Sequence, residues 1–211
     1  MAETRNCERC GTLFTPAREH ARFCSPRCRV AWNKQNASEP PAESGTLDWS
    51  ATAMRETTAR LLQAGGWDQR HAFAMISEAV WWVTMVDATL IRYHPDIYDR
   101  VLDGYPKAER QVIEDTFGGL RYLRNQMGFD ADHADFIQPL NSSSGAVPVA
   151  TWTWKSVAAP PLAELSERGR EWEMTRYRSY QDQLAGRAIG EAFSLATEFL
   201  DLACGRALTP G

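Results

Sequence analysis

The residues best suited to chemistry in this sequence are four cysteines near the N-terminus, arranged as two close pairs. Cys7 and Cys10 are separated by two residues and Cys24 and Cys28 by three, with thirteen residues between the pairs. Each pair can reach one ion without strain, so four thiolates at this spacing form the tetrahedral shell of a structural Zn²⁺ with no open position. The sequence therefore predicts one bound Zn²⁺; the alternatives are two disulfides or four unconnected thiols. His20, which lies between the pairs, is the only other candidate ligand.

The residues around the cysteines favour the same interpretation. Gly11 directly follows the first pair and can adopt the positive φ that turns backbone N–H groups toward the sulfurs. Ser25 and Pro26 are typical of the N-cap and first position of a helix, which places Cys28 in the first helical turn, where the helix dipole favours a thiolate. We therefore expect a knuckle, a hairpin over Thr12–Phe23 and a helix that begins at the second pair.

This order of elements resembles a treble-clef zinc finger. The run from Phe23 to Arg29, Phe-Cys-Ser-Pro-Arg-Cys-Arg, is similar to the FCS type within that group. Because so short a finger buries little apolar surface, metal binding is expected to supply most of its folding free energy, on the order of 10 kcal/mol.

Charge is distributed unevenly along the chain. Residues 1–36 carry seven arginines and lysines against three glutamates, a net charge of +4; since the whole chain carries −4, the remainder carries −8. A basic finger on an acidic body is expected to bind either nucleic acid, through its phosphates, or a partner protein, and a charge of +4 does not decide between them. The candidate nucleic-acid-binding residues are Arg18, Arg22, Arg27, Arg29 and Lys34.

The N-terminal residues lack the apolar segment of a secretory signal, which predicts a cytoplasmic protein with reduced thiols. Only three of the 23 basic residues are lysine, a bias that suggests a bacterial, GC-rich source.

Residues 37–46 contain two prolines, a glycine and no large apolar side chain, so they are interpreted as a linker between a finger at 1–36 and a body at 47–211. The predicted fold class is mainly α: a small treble-clef zinc finger followed by a helical bundle of about five helices with a short irregular or β insert. Apolar spacing and breaker residues predict helices at 47–64, 68–92, 97–104, 107–127 and 162–207, the last with a break or bend near Gly186 and Gly190.

The segment 68–92 is the most apolar part of the chain. Glu78 and Asp87 interrupt it, which favours a core helix over a membrane span, so no membrane partner is expected. Acidic groups on a buried face require a partner, and Arg121 or Arg124 on a later helix is the expected one.

The insert is expected between two of the helices. Residues 138–150 have the composition of a loop, and Thr151–Trp154 alternates like a short strand.

Arg124 and Asn125 lie near the end of a long amphipathic helix, and this pair in an all-α bundle resembles the HEPN family. The resemblance implies a bundle of four or five helices that often dimerises. Many members cleave RNA with the Arg and a His that follows it after four to six intervening residues, positions that are occupied here by Phe129–Ala131, while His133 lies beyond them. A structural role for the pair, holding the helix end to the loop that follows, is the alternative.

The sequence thus predicts a zinc-binding, non-catalytic protein whose finger binds nucleic acid or a partner protein. Its helical bundle is expected to mediate homodimerisation or recognition. The alternative function is that of a HEPN-type endoribonuclease using Arg124 and Asn125.

Overall fold

The computed structural model describes residues 4–16, 21–25, 27–29, 32, 45–63, 67–129, 135–139, 152–160 and 165–209, with the backbone alone at 128 and 129. The chain divides into two compact units, Met1–Glu43 and Ser44–Gly211. Each unit is described separately.

The N-terminal unit contains a two-stranded sheet. Strand β1 (Arg5–Asn6) pairs antiparallel with β2 (Leu13–Phe14), with Arg5 opposite Phe14. The tight connection carries the first cysteine pair and Gly11, whose φ is +69°. The predicted hairpin over 12–23 falls partly on residues 17–20, outside the described residues; β2 pairs with the strand before the knuckle. Residues 27–29 and 32 are helical.

The second unit is helical, as predicted. Its α-helices, in chain order and among the described residues, are α1 (Gly45–Gln63), α2 (Gln69–Tyr93), α3 (Pro95–Leu102), α4 (Lys107–Phe129), α5 (Glu167–Ser179) and α6 (Ile189–Leu208). Helix α1 begins two residues before the predicted position, so Gly45 and Thr46 belong to it. The rest of the predicted linker lies outside the described residues.

Local signals in the sequence explain several helix ends. Asp68 caps α2 by accepting a hydrogen bond from the His71 backbone N–H at 2.9 Å. His94 ends α2, and Pro95 starts α3 at a position where its missing N–H costs nothing. Ser166 caps α5 through the Gly169 N–H at 3.2 Å.

Helix α2 lies in the core and packs against α1, α4 and α6. It is the one helix in the described part of the chain whose length and composition would allow it to cross a membrane. One face of the helix is buried within the bundle, with Ile76, Val80, Val83, Val86 and Leu90 among its apolar side chains. The core helix predicted at 68–92 is therefore present as α2. The cytoplasmic location of the protein stays a prediction.

Asp87 of α2 is fully buried and forms an ion pair with Arg121 of α4, one of its two expected partners. The guanidinium donates to both carboxylate oxygens at 2.7 and 2.8 Å, and Tyr98 of α3 donates to the carboxylate at 3.0 Å. Glu78 differs, because it is half exposed and pairs with Arg60 of α1 at 3.2 Å. A single carboxylate thus joins α2, α3 and α4.

The strand predicted at 151–154 is confirmed over 152–154, since residue 151 lies outside the described residues. Strand β4 (Trp152–Trp154) pairs antiparallel with β3 (Ile137–Pro139), which takes the first two residues of the predicted loop. Trp154 also exchanges backbone hydrogen bonds with the segment before α6, donating to Arg187 at 3.1 Å and accepting from Gly186 at 2.8 Å. The insert is thereby fixed to the helical unit by backbone as well as by its buried tryptophans.

The predicted bend in the last helical region is also present. Helix α5 continues into a single π-helical turn (Tyr180–Leu184), and Gly186 then adopts a φ of +78°. This turn packs tightly on α4, where a Cβ on Gly119 would lie 2.9 Å from Leu184 Cδ1 and 3.1 Å from Tyr180 Cα. Glycine is needed at 119 because the opposing backbone cannot move away.

The close approach at Gly119 predicts opposite effects of two alanine substitutions. Gly119→Ala should destabilise the protein by about 1–3 kcal/mol through overpacking. Gly205→Ala in α6 meets nothing within 4 Å and should stabilise by about 0.5–1 kcal/mol, because alanine favours the helix. Urea unfolding of both variants measures the difference; a stabilising Gly119→Ala would contradict the packing.

The buried ion pair predicts a second contrast. Arg121→Met should cost about 3–5 kcal/mol, because it leaves Asp87 charged and unpaired in the core. Arg60→Met removes the exposed pair with Glu78 and should cost less than about 1 kcal/mol.

Urea unfolding at several pH values checks both effects. Burial raises the pKa of Asp87, opposed by Arg121 and Tyr98. Without Arg121 that pKa rises further, so the stability lost in Arg121→Met should shrink as the pH falls and Asp87 takes up a proton. Equal losses in the two variants would show that the buried pair has no special role.

Candidate metal centre

The four cysteines predicted as metal ligands meet at one point. All four sulfurs lie within 4.8 Å of one another, and Cys24 Sγ is 3.6 Å from both Cys10 Sγ and Cys28 Sγ. Sulfurs bound to one tetrahedral Zn²⁺ at about 2.3 Å stand about 3.8 Å apart. The four sulfurs are therefore positioned to coordinate one metal ion.

The first pair is held by a backbone turn. The Gly11 N–H donates to the Cys7 carbonyl at 2.9 Å, and the Cys7 N–H donates to the Thr12 carbonyl at 2.9 Å. The positive φ of Gly11 allows this turn to close directly after Cys10. The predicted role of Gly11 is confirmed.

The second pair is held by a helix N-terminus. Ser25 Oγ accepts a hydrogen bond from the Cys28 N–H at 3.2 Å, and the Ser25 carbonyl accepts from the Arg29 N–H at 3.2 Å. Ser25 is thus the expected N-cap, and Cys28 lies in the first turn. A further bond, from the Glu8 N–H to the Arg22 carbonyl at 3.1 Å, joins the two cysteine segments.

The sulfurs differ in how easily they ionise. A hydrogen bond with Thr12 lowers the pKa of Cys10. Desolvation opposes ionisation of Cys7, but backbone N–H groups, first those of Cys24 and Cys10, lower its pKa to about 6. The hydrogen bond shared with Cys28 raises the pKa of Cys24 to about 12. The cluster can therefore lose part of its protons near neutral pH, and a divalent cation would displace the rest.

Burial within the cluster is uneven. Cys7 is buried, Cys28 is half-buried, and Cys10 and Cys24 are exposed. Within the described residues this is the only group of three or more His, Cys, Asp or Glu side chains close enough to hold a metal ion. The fifth cysteine, Cys204, is buried in α6, as the sequence predicted for a small apolar residue. His20 lies outside the described residues.

The basic residues of the finger fall into two groups. Arg22 is used internally: it pairs with both oxygens of Glu8, at 2.7 Å through its Nε, and its guanidinium lies 4.8 Å from the centre of the Trp32 ring. Arg27 and Arg29 are exposed, and neither has an ion pair within the part of the chain that the structure describes. Arg18 and Lys34 lie outside it.

The sequence did not predict the internal role of Arg22. Glu8 and Arg22 are fourteen positions apart, and only the meeting of the two cysteine pairs brings them together. The aromatic residue at 32 was a possible signal, since arginine often stacks on exposed tryptophan.

Arg124 and Asn125 lie on the last turns of α4, both half-buried. The Asn125 side chain donates to Glu173 of α5 at 3.2 Å, and the neighbouring Gln126 donates to the same carboxylate at 3.3 Å. Asn125 thus holds two helices together. The alternative hypothesis was that this pair contacts acidic residues of the loop that follows the helix. Asp135 of that loop pairs with Lys155 instead. Residues 130–134, which include His133, lie outside the described residues.

Comparison with known proteins gives no relative from which a function could be transferred. The chain matches no protein-family model, and no curated protein or solved structure is detectably similar to it. The treble-clef and HEPN resemblances therefore depend only on the short motifs that suggested them, and function has to be argued from the sites themselves.

Proposed function

We propose that this protein binds one structural Zn²⁺ through Cys7, Cys10, Cys24 and Cys28. The observation that carries the proposal is the convergence of four sulfurs within 4.8 Å, at separations suited to a tetrahedral ion. An all-sulfur donor set of this geometry is typical of zinc in a reducing environment. When bound, the ion would hold the two cysteine segments together and neutralise their thiolates.

We further propose that the zinc-bound finger binds nucleic acid through its phosphates. Support comes from its net positive charge and from the exposed Arg27 and Arg29, which lie on either side of Cys28 in the helical residues. Arg22 is left out of the proposed phosphate contacts because its guanidinium is already paired with Glu8. Recognition or self-association by the helical body stays a prediction; exposed apolar side chains on α2, such as Trp81 and Ile91, are consistent with it.

The zinc proposal predicts one Zn²⁺ per chain in protein purified under reducing conditions. Cys10→Ser should lose the ion, because three thiolates leave the shell incomplete. Cys204→Ser is the matched control and should retain it, since this cysteine belongs to the helical unit. Elemental analysis of the three proteins measures the stoichiometry; wild-type protein without zinc would refute the proposal.

The same variants test the independence of the helical unit. Cys10→Ser should keep the cooperative melting of the helices, because their core contains none of the four ligands. Loss of that transition in Cys10→Ser would contradict the proposed division into a finger and a separate body.

The nucleic-acid proposal predicts a salt-dependent affinity of the full zinc-loaded chain for labelled oligonucleotides. Replacing both Arg27 and Arg29 by alanine should reduce the slope of log affinity against log salt by about 1.8 for duplex, at about 0.9 per phosphate contact. The matched control replaces Arg170 and Arg178 of α5, which removes the same charge from exposed positions of the body. Fluorescence anisotropy between low and moderate salt gives both slopes.

Two results would contradict this assignment. Equal slopes for the two double variants would show that the finger arginines do not contact phosphates. Absence of binding at low salt, to single strands and duplex alike, would favour a protein partner for the finger.

A further inference from the structure

Charged side chains from three helices gather at one place in the helical unit. Arg121 and Arg124 come from α4, Arg176 comes from α5, and the carboxylates among them are Asp87 of α2 and Glu173 of α5. We name these five residues the arginine cluster. Three guanidinium groups face two carboxylates, so the cluster carries one positive charge more than its acids neutralise.

The first carboxylate is fully used. Asp87 accepts two hydrogen bonds from Arg121 and one from Tyr98, and its side chain has no exposure to solvent. Within the described part of the chain it accepts no hydrogen bond from Arg124 or Arg176.

The second carboxylate is shared with neutral groups. The oxygens of Glu173 accept from the side-chain amides of Asn125 and Gln126, while the nearest nitrogen of Arg176 is 3.9 Å away. Arg124 has no hydrogen bond or ion pair to any other residue that the structure describes. The excess positive charge thus resides on Arg124 and Arg176.

Arg176 is partly buried and lies close enough to the other arginines of the cluster for their charges to act on it. Only 24% of its side chain is exposed, and its guanidinium lies 5.3 Å from the centre of the Trp172 ring. Desolvation lowers its pKa, and the charges of Arg121 and Arg124 act in the same direction against the opposing effect of the two acids. A buried cation surrounded by other cations is stabilised when an anion joins it.

The cluster is accessible from solvent through a groove between α4 and α5. The groove has a volume of about 380 Å³, and Arg121, Arg176 and Trp172 line one part of it. Glu114 and Asp115 also line the groove, seven and six residues before Arg121 on α4, a rise of about 10 Å along the helix axis. Asp115 already accepts hydrogen bonds from Ser179 at 2.9 Å and from Gln111 at 3.0 Å.

We propose that the arginine cluster binds a single oxyanion, a phosphate or carboxylate group of a small ligand, between Arg176 and Arg121, with Arg124 contributing its charge. The planar guanidinium fork matches both oxyanions, which can accept two parallel hydrogen bonds from one arginine. The exposed ring of Trp172 forms the wall of the site on the solvent side. This site belongs to the helical unit and is independent of the zinc and nucleic-acid proposals.

The test measures binding of sodium phosphate and sodium acetate to the full chain by calorimetry, at constant ionic strength maintained with sodium chloride. Arg176→Gln should weaken binding at least about tenfold, the effect of losing one charge-assisted interaction. Arg178→Gln, an exposed arginine two positions along the same helix, is the matched control and should bind like wild type. Binding of phosphate only, or of both anions, identifies which oxyanion the site accepts.

Because the finger also carries arginines, Cys10→Ser provides the second arm. Phosphate should bind to this variant as it does to wild type if the site lies in the helical unit. The indole N–H resonance of Trp172, assigned with Trp172→Phe, should shift when phosphate is titrated into the wild-type protein. If Arg176→Gln fails to fold, Arg124→Gln takes its place, and the same resonance measures its weaker binding. The proposal is overturned if neither anion binds, if the Arg178 and Arg176 variants bind equally, or if Cys10→Ser abolishes binding.

Discussion

The carboxylate of Asp87 is the constraint around which the helical unit is organised. A charge placed in the middle of the most apolar helix must be neutralised where it lies, since moving it to solvent would pull the helix out of the core. Arg121 meets it with a bidentate pair and Tyr98 with a third hydrogen bond, which orients α3 and α4 about α2. Because Arg121 also reaches the groove beside α5, the same pair determines where the remaining positive charge accumulates.

The two units of the chain obtain their stability in different ways. The helical unit has a continuous apolar core, whereas the one buried hydrophobic residue that the structure describes in the N-terminal unit is Cys7. Two strands of two residues and a short helical segment cannot offset the entropy of ordering the finger by burial. The cluster of sulfurs takes the place of a core, so a bound metal would supply what packing does not.

Features encoded by neighbouring residues could be predicted from the sequence. The cysteine spacing, Gly11 and the cap at Ser25 indicated the metal cluster, and apolar spacing together with Pro95 and Gly186 indicated the helices and the bend. The partner of Asp87 could be expected because buried charge allows few solutions.

Contacts between residues far apart in the sequence could not be predicted. The pairing of Glu8 with Arg22 and the contact of Asn125 with Glu173 depend on which faces meet in the folded chain. The π-helical turn, which packs tightly on Gly119, has no sequence signal of its own.

Helix α5 buries only Ser179 among its thirteen residues, and its ends are held by the cap at Ser166 and by the π-helical turn. Local opening costs least where few apolar groups are buried, so the amides of α5 should exchange with solvent by a sub-global opening that leaves the rest of the bundle folded. Two of the five residues of the arginine cluster, Glu173 and Arg176, lie on this helix. A ligand that contacts both α4 and α5 at the groove binds only when α5 is closed, so its binding stabilises the helix against that opening. Occupancy of the groove and the order of α5 are therefore one coupled equilibrium.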